Sequence, residues 1–165
     1  QLADGDLPRF LRHSLQRHGI KPAQVKLEVT ETAAMENLDW ALPRLHALAA
    51  EGVSLALDDF GTGYSSLAYL QRLPIGVLKI DISFVQGIGD PRGEALLRSI
   101  VGLAHGLGKH LVAEGVETEA QADWLRAAGC EEGQGFLFSR PLTPEGLPAF
   151  VQALSSSFAK GSSPA

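Results

Sequence analysis

The chain has 165 residues, 45% hydrophobic and 20% charged, with a formal net charge of −5. That length suffices for one domain with its own core, and the acidic balance argues against non-specific nucleic-acid binding, which relies on Lys and Arg neutralising phosphates. The single cysteine, Cys130, excludes an intrachain disulfide framework and fits a reducing, cytoplasmic setting. No apolar run approaches the ~18 residues of a membrane span, so no membrane contact is expected of this segment.

In chain order, helix-like and strand-like segments alternate. Residues Gln1 to Asp6 are neither basic nor apolar, unlike a secretory signal, and suggest a start inside a longer protein. Leu7, Phe10, Leu11 and Leu15 give a helical period over Leu7–His18, with Asp6 as its N-cap and Gly19 as its stop. A strand is expected at Val25–Thr30, a helix at Leu38–Ala50 closed by Gly52, and strands at Val53–Leu57 and Val77–Ile80. A helix at Ala95–Leu107, a strand at Leu111–Ala113, a helix at Glu119–Ala128, a strand at Gly133–Leu137 and a helix at Pro144–Leu154 complete the order. Residues 155–165, rich in Ser, Gly and Pro, are expected to form a flexible tail. Five short apolar strands separated by helices indicate an α/β protein with a parallel sheet covered on both faces. Neither a dinucleotide fingerprint nor a phosphate loop follows any strand, which favours a barrel over a doubly wound sheet.

The ionisable residues fall in a pattern. The first strand leads into Glu28 and Glu31, the second into Asp58-Asp59, the third into Lys79 and Asp81, the fourth into Glu114 and Glu117, and the fifth carries Gln134. In parallel α/β folds the C-terminal edge of the sheet is where reactive groups collect. Any one carboxylate there is as readily a helix N-cap; five strands doing the same is harder to ascribe to capping. Converging carboxylates repel and call for a cation, and an all-oxygen set without cysteine or a histidine pair favours Mg²⁺ or Mn²⁺ over Zn²⁺. Adjacent aspartates suit two ions about 3.5–4 Å apart that clamp the two oxygens of a phosphodiester displacement. Lys79 would orient or help deprotonate the attacking water, or else is a snorkelling lysine in an apolar strand. Gly61-Thr62-Gly63-Tyr64-Ser65-Ser66 is either a plain connector or a lid over the metals. The five histidines lie on helices or their flanks and are expected to pack or face solvent. Trp40 and Trp124 are expected to pack, and Cys130 to be a half-buried structural thiol.

Five blocks then carry a family resemblance: Leu27-Glu28-Val29-Thr30-Glu31, Asp58 through Leu67 (Asp-Asp-Phe-Gly-Thr-Gly-Tyr-Ser-Ser-Leu), Leu78-Lys79-Ile80-Asp81, Ala113 through Thr118 (Ala-Glu-Gly-Val-Glu-Thr) and Gln134-Gly135-Phe136. In order and spacing they resemble the EAL-type cyclic di-GMP phosphodiesterases, and the likeness extends to about Leu154. The resemblance implies a TIM-type (β/α)8 barrel, here a partial barrel of about five βα units, and metal-dependent hydrolysis of cyclic di-GMP to linear pGpG. It implies that Glu28 and Asp58 bind one metal, and Asp58, Asp59 and Glu114 the second. It implies that Lys79 contacts the catalytic water and that Gln134 lies near the water at the metal. Glu31 would anchor the loop of Gly61, Thr62 and Gly63, which couples substrate binding to dimerisation, and Glu117 would lie near the substrate.

The family's Glu-Ala-Leu block on an early strand and its later Asn-x-Ser block do not occur at matching places. Glu94-Ala95-Leu96 spells the letters on an expected helix and is a coincidence. Residues 1–154 are therefore expected to be the C-terminal two-thirds of such a domain. Its parent is expected to be a longer signalling protein with a sensory or GGDEF-type domain upstream, and any membrane anchor would lie elsewhere in that parent. With two ligand blocks missing, the chain alone is expected to hydrolyse poorly or not at all. The alternative is a non-catalytic cyclic di-GMP-binding or regulatory module. Open sheet edges lead to an expectation of association, as a homodimer or with another chain.

Overall fold

A computed structural model describes residues 6–61, 63 and 67–153. Its strands are β1 (Lys26–Thr30), β2 (Ser54–Phe60), β3 (Val77–Ile80), β4 (His110–Ala113) and β5 (Glu132–Gly133). They form one parallel sheet in the order β1-β2-β3-β4-β5. Helix α1 (Leu7–His18) precedes β1; α2 (Glu31–Met35) and α3 (Leu38–Ala50) follow it; α4 (Leu67–Arg72) follows β2; α5 (Ile82–Val85) and α6 (Pro91–Gly106) follow β3; α7 (Glu119–Ala128) follows β4. A last helical stretch covers residues 147–153.

Strand-to-helix crossovers between neighbouring parallel strands leave the two faces of the sheet unequal. Leu55, Leu57, Leu78, Ile80, Leu111 and Ala113 point to the face covered by helices and join the main core with Leu45, Leu70, Leu97, Val101 and Leu125. The intervening Ala56, Val77 and Val112 form a separate small apolar cluster on the other face. Lys26 Nζ on β1 lies 3.9 Å from Glu132 Oε2 on β5, so the first and last strands approach across that second face. Helices outside and a curled parallel sheet inside are the expected barrel architecture in its partial, five-strand form.

Helices α1, α3 and α7 lie where the periodicity places them, and α6 begins four residues earlier, at Pro91, because Asp90 caps it by accepting the Arg92 and Gly93 N–H groups. Asp6 stands at the N-cap of α1 without a side-chain capping bond. The strand expected at Gly133–Leu137 is corrected to Glu132–Gly133: the chain turns at residues 136–138, with Phe138 N–H donating back to Gly135 O. Three short helices, α2, α4 and α5, stand where only connectors were expected, because one or two turns carry too little periodicity to register. Thr30 caps α2 by accepting from Ala33 N–H. His110 is corrected from a helix flank to the first residue of β4, where Nε2 lies 2.8 Å from Glu132 Oε1. Arg44 and Arg98 cover the rings of Trp40 and Trp124, both packed against the core. Cys130 is half-buried, as expected. Leu154 and the tail lie outside the described residues.

Candidate functional site

The site is built at the C-terminal edge of the sheet. A regular strand sends successive side chains to opposite faces, so Asp58 and Asp59 would normally diverge. They do not, because β2 is irregular there: its pairing with β3 shifts register between Leu57 and Phe60, and Asp59 adopts φ 56°. Asp is one of the few residues that tolerates this left-handed conformation. The bulge lets carboxylate oxygens of Asp58, Asp59 and Glu114 gather within 4.8 Å of one another. Glu114 sits just past β4, its N–H bonded to Ile80 O.

Lys79 stands beside this cluster with its side chain 7% exposed. Its Nζ is 2.7 Å from Glu114 Oε1, 2.8 Å from Glu28 Oε2 and 2.9 Å from Asp58 Oδ1. It is no snorkelling lysine. Burial on its own would lower the ammonium's pKa, but the contacts with Glu114, Glu28 and Asp58 outweigh it and hold Lys79 well above its ordinary value. Asp58 Oδ1 is buried, with the Lys79 ammonium 2.9 Å away. A buried carboxylate oxygen next to two further carboxylates is a donor set suited to a hard divalent cation. Glu28, on β1 beside β2, has its side chain 45% exposed and is not among the residues whose oxygens gather.

The loop after the aspartates is tied down. Glu31, the first residue of α2, is 1% exposed, and its Oε2 accepts the Gly61 N–H at 2.9 Å. Gly63 lies against the same carboxylate, where a Cβ would come 2.7 Å from Oε1. Thr62 falls outside the described residues, as do Tyr64 to Ser66. Asp81 is the N-cap of α5, accepting Ser83 N–H at 3.0 Å, and Ser83's side-chain and backbone bonds lower its pKa. Glu117 is exposed, its N–H bonded to Gln121 Oε1. Gln134 follows β5, donating its N–H to Ala113 O and accepting from Val116 N–H. Glu94 lies in the first turn of α6 and accepts Gly89 N–H, so the Glu-Ala-Leu spelling there has a local structural use.

A partial parallel barrel with a carboxylate-rich cluster at its strand C-termini defines a class of α/β domain. Within it the family is specific: the EAL domain model matches residues 1–141, and the chain belongs to the EAL domain family. The bifunctional diguanylate cyclase/cyclic di-GMP phosphodiesterase MucR of Pseudomonas aeruginosa is 47% identical over 152 residues, 92% of this chain and 22% of that protein. A solved structure of the PaMucR phosphodiesterase in complex with c-di-GMP superposes with a TM-score of 0.85 at 47% identity, covering 89% of this chain and 60% of that one. The Klebsiella pneumoniae BlrP1 manganese/cyclic di-GMP complex gives 0.79 at 41% identity, over 85% of this chain and 36% of that one. The chain spans about a fifth of the length of the curated relatives it matches. Among the described residues, no helix is long and apolar enough to cross a membrane.

Proposed function

We propose that this chain is the carboxylate-bearing portion of a divalent-metal-dependent phosphodiesterase that hydrolyses cyclic di-GMP to linear pGpG. The observation that carries this is the gathering of Asp58, Asp59 and Glu114 within 4.8 Å, with Lys79 beside them, in a family whose members include complexes with cyclic di-GMP and manganese. Asp58, Asp59 and Glu114 would hold Mg²⁺ or Mn²⁺, with Glu28 completing a first position alongside Asp58. A divalent cation there supplies Lewis-acid polarisation of the phosphodiester and neutralises its charge.

The chain's own residues do the rest. With its ammonium held up by carboxylates, Lys79 is a hydrogen-bond donor that orients the attacking water rather than a ready base. Gln134 and Glu117, on the loops beyond β5 and β4, bind and orient. Glu31 fixes the loop containing Gly61, Thr62 and Gly63 at the mouth of the site, while Asp81 fixes α5. Water attacks phosphorus, one P–O3′ bond breaks, and the 3′ oxygen takes a proton, giving a 5′-phosphate and a free 3′-hydroxyl. The working unit is a homodimer within a longer protein that carries a sensory or GGDEF-type domain, and residues 1–154 form the C-terminal two-thirds of its EAL domain.

The test is chromatographic. Parent protein incubated with cyclic di-GMP releases pGpG with Mg²⁺ or Mn²⁺ and stops on chelation, and Asp58→Asn abolishes release. Binding of cyclic di-GMP by the parent with no pGpG under either metal overturns the enzymatic reading in favour of a receptor module.

A further inference from the structure

The acidic cluster draws on two strands that are not neighbours. Asp58 and Asp59 belong to β2 and Glu114 follows β4, with β3 between them. Strands lie about 4.8 Å apart, so these two backbones are separated by roughly 10 Å. The Lys79 ammonium on β3 bridges the carboxylates of Asp58 and Glu114, and the segment leaving β3 braces the backbone beside each of them.

That segment is the single turn α5. Its first residue, Ile82, presses on Gly115, the residue after Glu114. Gly115 has φ +67°, and a Cβ there would overlap Ile82 Cγ1 and Cδ1 and lie 2.8 Å from Ile82 Cβ. Its third residue, Phe84, presses on Gly61, two residues after Asp59. Gly61 has φ +97°, and a Cβ there would lie 2.7 Å from Phe84 Cζ. In each case the bare glycine backbone rests on an α5 side chain with no space for an intervening atom. Ile82 is 38% exposed, so its contact with Gly115 lies at the surface rather than in the main core. Val85, on the same turn, is instead fully buried in the main core.

We propose that Ile82 and Phe84 are positioning residues of the metal cluster: wedged against Gly115 and Gly61, they fix the separation of Glu114 from Asp58-Asp59 and so set the affinity for a divalent cation. This rests on the reading of the cluster as a metal site. Oxygen ligands bind such cations at about 2.0–2.6 Å, so a shift of a few tenths of an ångström in either strand end is felt at the ion. Ile82 carries the clearer signature, because its exposure lets it be shortened with little loss of core.

The experiment titrates Mn²⁺ into chelator-stripped protein and follows free and bound Mn²⁺ by electron paramagnetic resonance, alongside melting temperatures in EDTA. Ile82→Ala raises the Mn²⁺ Kd on the order of tenfold, as loss of outer support around metal ligands typically does, and alters the bound-Mn²⁺ line shape. Ile82→Val recovers most of the affinity. Val85→Ala lowers the melting temperature more than Ile82→Ala and leaves the Kd unchanged. Tight wild-type binding with an unchanged Ile82→Ala Kd overturns the positioning role alone. So does a Val85→Ala Kd raised as far as that of Ile82→Ala. Failure of the wild type to bind Mn²⁺ overturns the metal reading and this inference with it.

Discussion

Replacing Lys79 with methionine tests the electrostatics of the site without a large change in volume. Three carboxylates lie 2.7–2.9 Å from its ammonium. At an effective dielectric of about 20, each such contact is worth roughly 6 kcal/mol before desolvation. Desolvating the ammonium and crowding three carboxylates together offset most of that. Removing one partner of a buried ionic cluster costs about 3–5 kcal/mol, and the exposure of Glu28 places the expectation near the lower end, at about 3 kcal/mol. For a chain of this size that lowers the melting temperature by roughly 6–12 °C. Lys79 is raised above its ordinary 10.5 in the folded state. Its contribution is therefore complete below that value and is lost only as pH rises beyond it, so the deficit is constant between about pH 6 and pH 9. Divalent cation should restore Lys79→Met more than it stabilises the wild type, because the ion no longer competes with an ammonium for the same oxygens. Calorimetric melts in EDTA and in Mn²⁺ provide the check. A Lys79→Met melting temperature within about 2 °C of wild type in EDTA would refute the counter-ion role.

Asp59 makes a second test, because its φ of 56° separates backbone from charge. Asp59→Asn, which tolerates the left-handed region, should leave urea stability near wild type, whereas β-branched Asp59→Val should lose about 1–2 kcal/mol; both should lose Mn²⁺ affinity in the same titration. Asp81→Ala should cost about 1 kcal/mol at neutral pH through loss of the α5 N-cap. Because Asp81 is lowered from 3.8 when folded, its contribution is present above that pH, and the gap to wild type should close as pH falls below it, measured by urea unfolding across the acid range.

The elements that sequence patterning located best are those with several turns of periodicity. Helices α1, α3 and α7 and the cores of β1 to β4 follow from apolar spacing and from glycine at the helix ends, and the acidic residues expected at strand ends do lie along the C-terminal edge of the sheet. What escaped was short or non-local. The single turn α5 is announced by Asp81-Ile82-Ser83, an Asx cap that is legible only once a helix is sought there. The bulge that turns Asp59 toward Asp58 has no spacing signature, because it depends on how β2 pairs with β3. Lys79 was recognisable as a polar residue in an apolar strand, but its three partners come from β1, β2 and the end of β4, a convergence that only the sheet order produces.

The same sheet order explains why a cluster this charged is compatible with a stable fold. On the concave face, Ala56, Val77 and Val112 form an apolar layer between Lys79 and Glu114 at one end and the Lys26, His110 and Glu132 group at the other. The side chains of Ala56, Val77 and Val112 in that layer are all buried. A dry floor strengthens every interaction above it and prevents hydration of Lys79 from below. Val77→Ser should therefore act at a distance. The hydroxyl admits water beneath the ammonium, weakens its hold on Glu28, Asp58 and Glu114, and shrinks the loss of stability that Lys79→Met produces. A double-mutant cycle of Val77→Ser with Lys79→Met, read from urea midpoints in EDTA, should give a coupling of about 0.5–1 kcal/mol. Strict additivity would show that the layer is mere filling and that Lys79 is held by its three carboxylates alone.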